Sequence, residues 1–62
     1  MKIKELRVER GLTKVQLAKK LGVNKRTILR WENDMMSISL KNAVKVAEFF
    51  EISLDELIGD ID

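Results

Sequence analysis

The chain has no cysteine, no histidine, no proline and no tyrosine, and among its 62 residues only two Phe and one Trp. Without cysteine there is no disulfide and no thiol nucleophile. Without histidine, most zinc sites and most general-base chemistry are excluded. No apolar run approaches the roughly 18 residues that a membrane span requires. The opening Met1-Lys2-Ile3-Lys4 is followed by no apolar core of a signal peptide, so no secretory leader is expected. Glycine is scarce as well: the three fall at 11, 22 and 59. Few breakers in so short a chain predict regular helices interrupted at few points. Sixty-two residues also predict one domain, spanning 1–62, held by helix packing rather than by staples.

Net charge is small, +2, but it is unevenly spread. Residues 1–32 carry ten Lys/Arg against three Glu, a net +7; residues 33–62 carry two Lys against seven Asp/Glu, a net −5. A basic half of this kind offers itself to an anionic partner or simply solubilises a surface, and charge alone does not separate the two.

Four segments repeat one grammar: Leu12-Thr13-Lys14-Val15-Gln16-Leu17, Val23-Asn24-Lys25-Arg26-Thr27-Ile28, Ile38-Ser39-Leu40-Lys41-Asn42-Ala43 and Ile52-Ser53-Leu54-Asp55-Glu56-Leu57. In each, an apolar residue precedes Thr, Asn or Ser, whose side-chain oxygen accepts an orphan N–H at a helix start. Thr13 with Gln16 and Ser53 with Glu56 have the spacing of full capping boxes. Leu12/Leu17, Val23/Ile28 and Ile52/Leu57 have that of hydrophobic staples. Four capped starts plus an N-terminal helical stretch predict an all-α fold of five short helices, near 2–10, 13–20, 24–32, 39–50 and 53–58. Gly11 and Gly22 stand where the chain turns between helices. Periodicity assigns Ile3, Leu6, Leu17, Leu21, Ile28, Trp31, Ala43, Val44, Ala47, Phe50, Leu54, Leu57 and Ile58 to the core, with Ala18 small enough for the next helix to cross close by.

The third helix carries the charge question. At about 100° per residue, with Lys25 set to 0°, Ile28 and Trp31 fall at roughly 300° and 240°, whereas Leu29, Asn33, Arg26 and Arg30 fall at roughly 40°, 80°, 100° and 140°. The face turned from the core is thus Arg26, Leu29, Arg30 and Asn33, with Lys25 at the open tip. Arg26 and Arg30, spaced i, i+4 with no acid between them, repel each other by a few tenths of a kcal/mol until an anion arrives. A merely solvated face would intersperse acids.

A tight corner at Leu21-Gly22-Val23 between two short helices is the signature of a helix-turn-helix. With Leu17-Ala18 before it and Ile28 and Trp31 after it, the stretch resembles the helix-turn-helix of the phage-repressor-like family, the Cro and CI type. The blocks IKELRVERGLT, QLAKKLGVNKRTILRWEN and SLKNAVKVAEFFEISLDELIG resemble that family in order, over residues 3 to about 59. The resemblance implies a lambda-repressor-like bundle with the motif at helices 2 and 3. It also implies a sequence-specific regulator of transcription on double-stranded DNA, a repressor being expected, with the third helix in the major groove.

On that reading Lys25, Arg26 and Arg30 occupy the family's base-reading positions. Leu29 suits a thymine methyl, or equally a neighbouring helix. Phosphates are expected at the helix starts, on Thr13, Lys14, Asn24 and Thr27, and on Asn33 just past the third helix. Lys14 departs from the Gln common at its position, and Lys19 and Lys20 are read as solvated surface. Arg7 and Glu32 match positions that pair as a partly buried ion pair; the alternative is two independent surface charges.

Three departures stand out. Asp34 follows Asn33 where Gly is common. Met35-Met36-Ser37-Ile38 replaces a loop usually basic and Pro-containing, which predicts weaker phosphate binding on that side. Glu51 stands where Gly often closes the fourth helix, so strain or a different shape is expected at Asp34 and Glu51. Met35, Met36, Ile38, Phe49 and Ile61 form the expected dimer surface, serving a weak homodimer or association through a C-terminal part that this chain lacks. No cofactor, metal, small-molecule ligand or membrane is expected as a partner, and the expected location is the cytoplasm of a prokaryote, or of a phage's host, on the nucleoid when bound. An enzyme is not expected, for want of His, Cys, a phosphate loop or a carboxylate pair. The rival reading is a protein-interaction module, such as an antitoxin or adaptor, with a vestigial helix-turn-helix.

Overall fold

The computed structural model describes residues 2–59. Five α-helices follow one another: α1 Lys2–Glu9, α2 Lys14–Leu21, α3 Lys25–Asn33, α4 Leu40–Phe50 and α5 Leu54–Ile58, with one turn of 3-10 helix at Met35–Ser37 between α3 and α4. No strand occurs among the described residues, and no helix there is long and apolar enough to cross a membrane.

Each of the four repeated segments starts a helix by the same device. Thr13, Asn24, Ser39 and Ser53 are extended N-caps whose side-chain oxygens accept from the backbone N–H of Gln16, Thr27, Asn42 and Glu56. At Thr13 the box is complete, because Thr13 N–H donates back to Gln16 Oε1 at 2.8 Å. At Ser53 only the forward bond forms, Glu56 N–H to Ser53 Oγ at 3.0 Å. Glu56 is exposed, and a carboxylate at a helix start gains as much from water and the helix dipole as from closing the box.

Gly22 closes α2 in the left-handed region at φ 72°, its N–H reaching back to α2 carbonyls; Val23 N–H then reaches Ala18 O at 3.0 Å. This fold-back sets the corner between α2 and α3. The two departures from the expected helix ends resolve differently. Asp34 needs no glycine: it is extended (φ −148°), and its Oδ1 accepts from Met36 N–H at 3.1 Å, capping the 3-10 turn. Glu51 does take the glycine conformation, at φ 59°, so that its N–H and that of Ile52 satisfy the last α4 carbonyls. It is the one non-glycine residue at positive φ among those described.

The core gathers Ile3, Leu17, Ala18, Leu21, Ile28, Trp31, Met35, Ala43, Val46, Ala47, Phe50 and Leu57, with Leu6, Leu54 and Ile58 partly buried against it. One expected core residue is misplaced. Val44 is 40% exposed and Val46 is fully buried. The inward stripe of α4 runs Ala43, Val46, Ala47, Phe50, steps of three and four, and Val44 lies about 100° off it. The expected dimer surface is also corrected. Met35 is buried, because the 3-10 turn carries it into the core cluster; Ile38 and Phe49 are half-buried against the core; Ile61 lies outside the described residues. Among the described members of that set, only Met36 is freely exposed.

Candidate nucleic-acid interface

Helix α3 presents two opposed faces. Ile28 and Trp31 are buried among residues of α1, α2 and the 3-10 turn, which anchors the helix along its length. The opposite side carries Arg26, Leu29, Arg30 and Asn33, all exposed. With Asn24, Thr27 and Asp34 they line one open concavity. Leu29, 43% exposed, adds an apolar side chain beside the two arginines. The tip of α3 is locked: Asn24 Oδ1 accepts from Thr27 N–H at 3.0 Å and from the Thr27 hydroxyl at 3.2 Å.

A second hollow lies at the start of α2, lined by Arg7, Gly11, Leu12, Thr13, Lys14, Val15 and Lys25. Lys25 therefore borders the α2 start as well as the α3 tip. Lys14 and Lys25 bring two ammonium groups to the N-terminal end of α2, where free N–H groups already favour an anion. Thr13 Oγ1 accepts from Gln16 N–H at 3.0 Å, which leaves its own hydroxyl hydrogen available. Lys19 and Lys20 are exposed and border neither hollow.

What holds the two hollows in register is Arg7. Its Nε donates to Glu32 Oε2 at 2.8 Å, its Nη2 to Oε1 at 3.5 Å, and its Nη1 to the carbonyl of Leu12 at 2.9 Å. The side chains of Arg7 and Glu32 are 11% and 5% exposed. One guanidinium thus ties α1 to the end of α3 and to the residue preceding the α2 cap. A second arginine, Arg10, was not singled out by its sequence surroundings. Its Nη2 donates to Phe50 O at 3.0 Å and its guanidinium lies 5.4 Å from the Phe50 ring centre, fastening α1 to the end of α4. Partners 40 residues apart leave no local signal.

Among the described acidic residues after position 32, Asp34 alone borders either hollow. It sits on the rim of the α3 concavity.

The family model described as Helix-turn-helix matches residues 3–57. Over 59 residues the chain is 39% identical to the cryptic phage CTXphi transcriptional repressor RstR of Vibrio cholerae, covering 95% of this chain and 53% of that one. It is 41% identical over 56 residues to an uncharacterised helix-turn-helix-type transcriptional regulator of Methanocaldococcus jannaschii, covering 90% of this chain and 85% of that one. It is 32% identical over 58 residues to the helix-turn-helix-type transcriptional activator BcrR of Enterococcus faecalis, of which it spans 28%. The chain thus spans about half of the repressor and less of the activator. No solved structure gives a significant match. Matched along nearly its whole length, and carrying the capped α2, the Gly22 corner and the two-faced α3 in order, the chain belongs to the helix-turn-helix family of the Cro/CI type.

Proposed function

We propose that the chain is a transcriptional regulator, a repressor, that binds double-stranded DNA in a sequence-specific manner with α3 in the major groove. The observation that carries this reading is the exposed Arg26–Leu29–Arg30–Asn33 face directly opposite the buried Ile28 and Trp31. A rod fixed along one side and cationic along the other fits a groove that an α-helix can enter. Arg26 and Arg30 are suited to the N7 and O6 of guanine, Leu29 to a thymine methyl, and Lys25 reaches a base edge from the side of the α2 start. Thr13, Lys14, Asn24 and Asn33 flank that face and hold phosphates, which set register and orientation without reading sequence. Such a regulator works in the cytoplasm, on the nucleoid when bound. Its similarity to a named phage repressor supports the negative sign of regulation.

A second copy is part of the same reading. Met36 and Leu40 are 74% and 70% exposed, beside an apolar hollow lined by Met35, Met36, Ile38, Leu40, Ala43, Leu54 and Ile58. Two copies joined there would read two half-sites about one DNA turn apart. Leu40→Glu places a charge in this surface. Equilibrium sedimentation should show concentration-dependent association of the unaltered chain, and Leu40→Glu should abolish it. A strict monomer at high concentration removes the dimer.

Selection of bound duplexes from a random pool tests the main proposal. One enriched sequence should emerge, and log K should fall with log[salt] at about 0.9 per phosphate contacted. Equal, weak binding to selected and random duplexes would instead favour an interaction module working through its apolar surface.

A further inference from the structure

We infer that Asn24 and Thr27 form a pair of fixed hydrogen-bond polarity, in which the Thr27 hydroxyl reads a base amine in the major groove and does not hold a phosphate. This rests on α3 lying in that groove.

Asn24 Oδ1 takes both hydrogens that Thr27 can give, the backbone N–H at 3.0 Å and the hydroxyl at 3.2 Å. Of the two ends of the Asn24 amide only the oxygen can accept from a backbone N–H, so its orientation is set by chemistry: oxygen inward, Nδ2 outward. With its two lone pairs occupied, Asn24 can only donate to a ligand. Among the described residues no group accepts from its Nδ2.

The consequence for Thr27 is the reverse. A hydroxyl has one hydrogen and two lone pairs. The hydrogen of Thr27 is spent on Asn24, and what remains toward the concavity is an acceptor oxygen and a methyl group. Phosphate oxygens only accept, so an acceptor facing them gains nothing. In the major groove the hydrogen-bond donors are the exocyclic amines, N6 of adenine and N4 of cytosine. Thr27, at roughly 200° on the α3 wheel, lies between the buried side and Arg30 at roughly 140°. It is half-buried and lines the same concavity as Arg26 and Arg30. Thr13 marks the contrast. Its oxygen accepts at a helix cap while its hydrogen stays free, the polarity a phosphate needs.

Asn24 is therefore a positioning residue and Thr27 a specificity residue. The test is duplex selection, with affinities for the selected and random duplexes, run on the unaltered chain, Thr27→Val, Thr27→Ser and Asn24→Gly. Valine keeps the branched shape and loses the oxygen. Thr27→Val should lose about fivefold preference for adenine or cytosine at one position. Its affinity for random duplex and its salt slope should stay unchanged, and Thr27→Ser should keep the preference. Glycine is a tolerated N-cap, so the helix start should survive. Asn24→Gly should free the hydroxyl hydrogen and admit guanine or thymine at that same position. The selected sequence decides between adenine and cytosine.

If Thr27→Val weakens selected and random duplexes by the same factor and lowers the salt slope by about one, Thr27 is a phosphate donor and the inference fails. It also fails if Thr27→Val leaves the selected sequence and affinity unchanged, or if Asn24→Gly leaves that position's preference intact. Failure of the unaltered chain to enrich any sequence overturns the proposed function itself, a result distinct from the others.

Discussion

Breaking the Arg7–Glu32 pair should unfold this protein more readily than any surface change, whereas replacing both partners should not. The two side chains are 11% and 5% exposed, so solvent screens the pair little. At 2.8 Å and an effective dielectric near 20, their attraction is about 6 kcal/mol. Desolvation takes back several kcal/mol for each ion, leaving the pair close to break-even against a well-packed apolar pair. Removing one partner is different, because it strands the other charge; the cost is about 3–5 kcal/mol. A domain of this size commands only about 3–5 kcal/mol in total. Glu32→Leu or Arg7→Met alone should therefore bring the chain to its unfolding threshold. The double variant Arg7→Met/Glu32→Leu should return to within about 1–2 kcal/mol of the parent, the deficit reflecting the Leu12 carbonyl that Arg7 Nη1 no longer satisfies. Urea unfolding followed by far-UV circular dichroism, in a stabilising osmolyte so that each variant has a folded baseline, gives the coupling directly. Single variants within 1 kcal/mol of the parent, or a double variant as unstable as the sum of the singles, would refute the reasoning.

Two further changes separate strain from charge. Glu51→Gly should stabilise by about 1 kcal/mol, because Glu51 holds a left-handed conformation that costs a side chain and suits glycine; the urea midpoint reports it, and an unchanged midpoint denies the strain. Asp34→Asn removes the one negative charge that the described residues place on the rim of the α3 concavity, while keeping an oxygen to cap Met36 N–H. It should tighten DNA binding by roughly two- to fivefold at low salt, with the gain fading as salt rises, which fluorescence anisotropy on a labelled duplex measures.

Much of the architecture was legible because it is written locally. The Thr13, Asn24, Ser39 and Ser53 caps each lie three residues from the N–H they satisfy, so four helix starts could be read from spacing alone. The opposed faces of α3 follow from Ile28 and Trp31 against Arg26 and Arg30, again within one helix. Illegible features depend on the chain meeting itself. The segment Ala43-Val44-Lys45-Val46-Ala47 offers two valines, and only the packing of α4 decides that Val46 goes inward. Met35 looked like surface because the 3-10 turn that buries it is started by the Asp34 side chain, at a position where glycine was the expectation. Arg10 is one of many exposed-looking cations until its partner, Phe50, arrives from 40 residues away. In the interface, the polarity of Thr27 depends on which hydrogen Asn24 claims, which residue types alone do not disclose.

Binding of the chain and of Arg30→Ala to a selected duplex, and to the same duplex altered one base pair at a time, probes the role of α3 most directly. Arg30 is exposed on the face opposite Trp31, so the fold should survive its loss. The expected result is a loss of about 1–3 kcal/mol on the selected duplex, with discrimination erased at one base pair and kept at the others. Equal affinity of parent and variant for every duplex, with the variant folded, would contradict α3 as the element that reads the DNA.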